Sequence, residues 1–138
     1  MRPVSHIIIH CSATPEGRDV TAATIRQWHK AKGWRDIGYH YIIRLDGTIE
    51  EGRALDQPGA HCTGHNADSI GICYIGGLAA DCKTPKDTRT AKQKASLISL
   101  IKQLLQQFPT ATIHGHNEFA AKACPSFNVQ EWRKEVEL

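Results

Sequence analysis

Late in the chain, in Thr112–Phe127 (TIHGHNEFAAKACPSF), His116 closes a short apolar run, and Cys124 follows eight residues later, two after Lys122 and directly before the helix-breaking Pro125. Imidazole and thiolate are two of the donor types zinc prefers, and a site with three protein ligands keeps a position open for water. A third ligand must come from elsewhere. The apolar run Ile7-Ile8-Ile9 ends in His10, in the same kind of position. Two strand-end histidines, a loop cysteine and a nearby lysine make a candidate hydrolytic metal centre. Against this stands the plainer reading that a strand-end histidine is a satisfied polar group. The His116/Cys124 spacing matches no common zinc-finger pattern, and the His-Glu-x-x-His motif is absent. The residues alone support metal-assisted amide hydrolysis and nothing narrower.

Strands and helices must bring these groups together. Val4–Cys11 reads as a buried strand, short and β-branched. Thr21–Lys32 reads as a helix, with Thr21 as N-cap and Gly33 as the stop. Tyr39–Leu45 and Thr48–Glu51 read as strands around a two-residue Asp46-Gly47 turn. Ser69–Ile75 is a second continuous apolar run, an interior strand closed by Gly76-Gly77, and polar Ala79–Arg89 reads as a mobile surface loop. Thr90–Phe108 is the longest helix: Thr90 and Gln93 form a capping-box pattern, and Leu97, Ile98, Ile101, Leu104, Leu105 and Phe108 repeat at helical spacing. Thr112–His116 is a short strand. Asn128 then caps a last helix, with Glu131 completing a box and Phe127 and Trp132 placed as a hydrophobic staple. The order predicts an α/β fold, one domain over residues 1–138, with a mixed central sheet flanked by helices. Open sheets of this kind bind ligands at strand ends, where His10 and His116 fall.

Composition narrows the function classes. With 138 residues, 41% hydrophobic and 22% charged, the chain has enough apolar material for a core. A net charge of +3 with scattered basic residues argues against nucleic acid as a partner. No apolar run approaches the roughly 18 residues of a membrane span, so no membrane role is expected. The five cysteines, an odd number without an export signal, argue against a disulfide framework. Cys11 and Cys73 read as small core residues. The start of the chain has no signal-peptide core, so the expected location is the cytoplasm, unless another factor releases the chain.

Six collinear segments then add a resemblance: His10-Cys11-Ser12-Ala13-Thr14, Ile25-Arg26-Gln27-Trp28-His29-Lys30, Gly38-Tyr39-His40-Tyr41, Asp46-Gly47-Thr48, Ser69-Ile70-Gly71 and Lys122-Ala123-Cys124-Pro125-Ser126-Phe127. Together they resemble the zinc-dependent N-acetylmuramoyl-L-alanine amidases, a family that includes the amidase lysozymes of bacteriophages and the peptidoglycan recognition proteins. The resemblance runs from about His6 to Trp132. It implies one Zn2+ ligated by His10, His116 and Cys124, with Tyr39 and Lys122 as catalytic residues. The Gly-Ala-His-Cys-Thr-Gly-His-Asn stretch is similar to a family loop, which implies a substrate-groove role for His61 and Asn66. His65 reads as exposed, His40 as structural or supporting, and His114 as unassigned. The implied substrate is peptidoglycan or its muropeptides, acted on by a monomer.

Two competing readings belong to other classes. A peptidoglycan-binding protein without turnover predicts a damaged ligand set, whereas all three ligands and Lys122 are present. A regulatory protein binding a cytoplasmic partner such as a polymerase needs an exposed partner surface, which the sequence does not reveal.

Overall fold

Ile7, Ile8 and Ile9 are completely buried, as a run apolar on both faces requires of a strand covered on both sides. They form the middle of β1 (His6–Cys11) in the computed structural model, which describes residues 2–138. The remaining elements are β2 (Thr14–Pro15), α1 (Ala22–Ala31), β3 (Tyr41–Ile43), β4 (Ile49–Glu51), β5 (Ser69–Tyr74), β6 (Gly77–Leu78), α2 (Ala91–Gln107), β7 (Thr112–Gly115) and α3 (Val129–Glu135). Short 3-10 turns occupy Asn66–Asp68 and His116–Glu118. The main sheet has the order β4-β3-β5-β1-β7, and β2 pairs with β6 apart from it. β4 runs antiparallel to β3. The β3–β5, β5–β1 and β1–β7 pairs are parallel, so the sheet is mixed, as expected.

Alternation along the strands sorts the two faces. Ile7 and Ile9 of β1, Ile43 of β3, Ile70, Ile72 and Tyr74 of β5, and Ile113 of β7 pack with Leu97, Leu100, Ile101 and Leu104 of α2 and with Val129 and Trp132 of α3. The opposite face carries His6, Ile8 and His10 of β1 and Ser69, Gly71 and Cys73 of β5. Part of it is covered by a smaller cluster around α1, made by Val20, Ala22, Ile25, Ile37, Ile42 and Ile75. The polar chemistry therefore gathers on the α1 side of the sheet, and most of the core lies on the other.

The helix ends follow their caps. Thr21 Oγ1 accepts from Thr24 N–H at the start of α1. Thr90 and Gln93 close the capping box of α2, and the buried Gln93 amide also donates to the carbonyls of Ile43 and Ile75. Asn128 Oδ1 accepts from Glu131 N–H, and the Phe127 and Trp132 rings meet edge to face at 5.8 Å.

Two expectations change. The β3–β4 turn has three residues rather than two: Gly47 N–H donates to Arg44 O, and Arg44 N–H donates to Thr48 O. Gly47, at φ +87°, supplies the left-handed residue such a loop needs. The Ala79–Arg89 segment is not simply a surface loop. Its far end is fastened, since Gly77 N–H donates to Thr88 Oγ1, and the buried Arg89 guanidinium lies 3.5 Å from the centroid of Phe127.

His40 shows how a buried imidazole couples this fold to pH. Its Nδ1 accepts from Gly71 N–H at 3.0 Å, so its proton sits on Nε2, which donates to Gln57 O at 2.8 Å. Burial above all, then the charges of Arg2 and Arg53, push its pKa down to about 4. The unfolded chain takes up this proton near pH 6.5, the folded chain near 4. Between those values the unfolded state binds more protons, so stability falls as pH falls. Acidification from pH 7 to 4 is expected to remove about 2–3 kcal/mol through this group. Urea unfolding at a series of pH values should give a flatter stability curve for His40→Asn than for the wild type over this interval. Parallel curves would discard the assignment.

Candidate metal centre

β1 and β7 are parallel neighbours with Ile9 opposite Gly115, so the residues that follow, His10 and His116, emerge side by side. Their ring centroids lie 4.5 Å apart. His116 is the first residue of a 3-10 turn rather than the last of a strand. Cys124 arrives on the loop before α3, and that loop is tied down on several sides. Tyr74 O–H donates to Pro125 O at 2.6 Å. Ser126 Oγ donates to Gly77 O at 2.9 Å. Cys11 N–H donates to Cys124 Sγ at 3.2 Å. One donor atom each from His10, His116 and Cys124 then falls within 4.8 Å of the others, with His10 Nδ1 3.8 Å from Cys124 Sγ.

The other nitrogen of His10 is held from behind. His10 Nε2 lies 2.8 Å from His61 Nδ1, and His61 Nε2 lies 3.1 Å from Ser69 Oγ. For His10 Nδ1 to present a lone pair, Nε2 must carry the proton and donate it to His61 Nδ1. His61 then has its own proton on Nε2, facing Ser69. This requires a neutral His61, and burial above all, then the nearby charges of His40, His116 and others, lower its pKa to about 3. His10 is also lowered well below the usual imidazole range, by burial and then by His61, His116 and Lys122. Unprotonated imidazoles are the form a metal binds.

The two sulfurs compete for one negative charge: the hydrogen bond with Cys11, then burial, hold the Cys124 thiol well above its ordinary range, while the same bond brings Cys11 down to about 7. Cys124 and Cys11 share a hydrogen bond, so ionisation of either thiol opposes ionisation of the other. The Cys11 amide aimed at Cys124 Sγ favours negative charge on Cys124, because a donor to the charged form stabilises it.

Around this centre stand the remaining residues singled out from the sequence. The half-buried Tyr39 ring lies 5.2 Å from that of His10. Burial and the thiols of Cys73, Cys124 and Cys11 raise its phenol well above the ordinary range, so it keeps its proton and can donate. Lys122 is exposed, and its charge lowers the pKa of both His10 and His116. His61 is buried behind His10 rather than open to a groove. Asn66 Oδ1 is occupied by the backbone N–H groups of His61 and Cys62, both at 2.9 Å, so its amide braces that loop. His114 stays apart, with Nδ1 on Glu118 Oε1 and Nε2 on Thr112 Oγ1.

The support of His10 by His61 escaped the sequence reading, although a signal was present. A glycine inside an interior strand often marks a close approach. A Cβ on Gly71 would sit 2.6 Å from His61 Cγ, so this glycine makes the slot that the imidazole fills.

Residues 1–127 match the N-acetylmuramoyl-L-alanine amidase family. The chain belongs to that family. Among its relatives, the endolysin of Klebsiella phage KP32 is 46% identical over 134 residues, covering 97% of this chain and 88% of its own. A peptidoglycan-recognition protein of Drosophila melanogaster is 33% identical over 134 residues, covering 94% of this chain and 72% of its own. The solved structure of the N-acetylmuramoyl-L-alanine amidase LysC from Clostridium intestinale superposes with a TM-score of 0.84 at 29% identity, covering 99% of this chain and 87% of that one. The α/β architecture with its mixed sheet is thus the amidase fold, and the His-His-Cys cluster is its candidate metal site.

Proposed function

We propose that His10 Nδ1, His116 and Cys124 Sγ hold a zinc ion, and that Lys122 and Tyr39 complete a hydrolytic site around it. The chain is an N-acetylmuramoyl-L-alanine amidase. It cleaves the amide between the lactyl group of N-acetylmuramic acid and the L-alanine of the peptide stem. The observation that carries the zinc reading is the convergence of three donors from distant parts of the sequence, with His10 oriented by His61. Two imidazoles and one thiolate suit zinc, and three protein ligands are the catalytic number. A ligand histidine whose other nitrogen is hydrogen-bonded is the usual arrangement in such sites.

Bound zinc supplies a Lewis acid for the scissile carbonyl and a water of lowered pKa. The chain's own residues do the rest. Lys122 places a positive charge where the carbonyl oxygen becomes negative, and the Tyr39 phenol donates a hydrogen bond to that oxygen or orients the attacking water. His61 keeps the His10 proton on Nε2 throughout. Substitution His61→Ala is expected to weaken zinc binding by about 10–100-fold, read by competition with a chelator. Unchanged affinity would remove His61 from this role.

Peptidoglycan is the substrate. The intact ligand set and Lys122 favour turnover over recognition alone. We read the protein as a monomer, made in the cytoplasm and reaching the wall at lysis. Quantifying bound metal by mass spectrometry, together with peptide release from purified muropeptides, tests the reading. Zinc that is lost in Cys124→Ala, together with release of peptides beginning in L-alanine, is the expected result. Release without bound zinc would overturn the metal assignment, and zinc without release would overturn the site.

A further inference from the structure

The face of β1 that carries His10 also carries His6 at its other end, about 13 Å away at the usual rise of a parallel strand. There a second group of metal-binding side chains assembles. His6, His65 and Asp68 each bring one donor atom within 4.8 Å of the others. His6 opens β1, His65 precedes the Asn66–Asp68 turn, and Asp68 ends it. The backbone fixes this meeting, since Ser5 N–H donates to Asp68 O at 2.7 Å and His6 pairs with Ser69 in the β1–β5 ladder.

Two atoms in this group are unspent. His6 Nδ1 and Asp68 Oδ1 are shut off from solvent, and among the described residues neither has a hydrogen-bond partner. They lie 3.8 Å apart, too far for a direct hydrogen bond. Buried polar atoms are rarely left in that state without an ion or water between them. Two ligands on one tetrahedral zinc-class ion lie about 3.3–3.5 Å apart, from bond lengths of ~2.0–2.2 Å, so a small rotation closes the gap. The third donor is held in place by packing. The His65 ring stacks on Phe119 at 4.3 Å, and His6 meets both rings edge-on at 5.7 and 5.8 Å. The third imidazole nearby, His114, has both nitrogens engaged by Glu118 and Thr112 and takes no part.

We propose that His6, His65 and Asp68 bind a second divalent transition-metal ion, independently of the His10/His116/Cys124 centre. Two imidazoles and a carboxylate select zinc-class ions over magnesium or calcium, which prefer all-oxygen shells. The separation from His10 far exceeds the ~3.5–4 Å of a two-metal catalytic pair, so this ion is not part of the hydrolytic step. It clips the start of β1 to the segment that carries His61.

Equilibrium dialysis of the intact protein against Zn2+, with bound metal measured by mass spectrometry, tests this. Wild type should bind two ions per chain. Asp68→Asn should bind one, and so should His65→Phe, which keeps the stacking on Phe119 but removes the donor. Both variants should retain muropeptide cleavage. Cys124→Ala should also bind one, and the Cys124→Ala/Asp68→Asn double variant none. A wild type that binds one ion, lost in Cys124→Ala, overturns the proposal. So does a second ion that survives both Asp68→Asn and His65→Phe. A single ion lost in Asp68→Asn but kept in Cys124→Ala supports this site and counts against the first one.

Discussion

Cys124→Ala should lower amide cleavage by about 10³-fold or more while the protein stays folded. The thiolate is the anionic member of the proposed ligand set, and without it two neutral imidazoles must hold a divalent cation alone. Loss of the ion removes charge stabilisation worth several kcal/mol in the transition state, and each ~1.4 kcal/mol is tenfold in rate. The fold should tolerate the change because the loop has other anchors, in the Tyr74–Pro125 and Ser126–Gly77 hydrogen bonds. The metal-free cost is about 1 kcal/mol, from the Cys11 amide that loses its acceptor. Zinc content, muropeptide turnover and the far-ultraviolet circular dichroism of the variant should be measured together. A folded variant that keeps a tenth of the wild-type rate would show that Cys124 is not a ligand the reaction needs.

Lys122→Ala should behave differently, losing rate while keeping the metal. An expected fall of about 10²–10³-fold in kcat matches the loss of one preorganised donor to a developing oxyanion. The side chain is exposed, yet its charge is felt at His10 and His116, so the ammonium lies near the centre. Because its partner charge exists only in the transition state, KM should change little. Lys122→Arg should recover part of the rate, since the charge returns in a planar, bulkier form. If Lys122→Ala instead raises KM at constant kcat, the residue binds substrate and the oxyanion role falls to Tyr39.

Much of this was legible in the chain. The apolar runs Ile7–Ile9 and Ser69–Ile75 read from the chain became neighbouring parallel strands, the second ending at Tyr74. The Thr90/Gln93 box placed the start of α2 because a cap is a local device. What depended on distant partners was not legible. Arg89 looked like a surface charge because pattern rules expect guanidinium groups in water. It is buried because its flat cation lies against Phe127, a residue far along the chain. His61 and Asn66 were placed at the substrate because their loop resembles one in the family. The structure turns His61 inward to His10, across 51 residues of separation that no periodicity spans. His65 read as exposed, and it acquires neighbours only when β1 and the Asn66–Asp68 turn are brought side by side.

The sheet order also governs when the enzyme can first act during its own synthesis. β1 is the earliest strand made, yet it lies between β5 and β7. Its flank on the β7 side stays bare until residue 115 has left the ribosome, and the sulfur that completes the centre comes later still. A nascent chain ending before Cys124 holds the two histidines of the proposed ligand set without the sulfur. On the proposed ligand set, hydrolysis of the wall therefore waits until nearly the whole chain has been made.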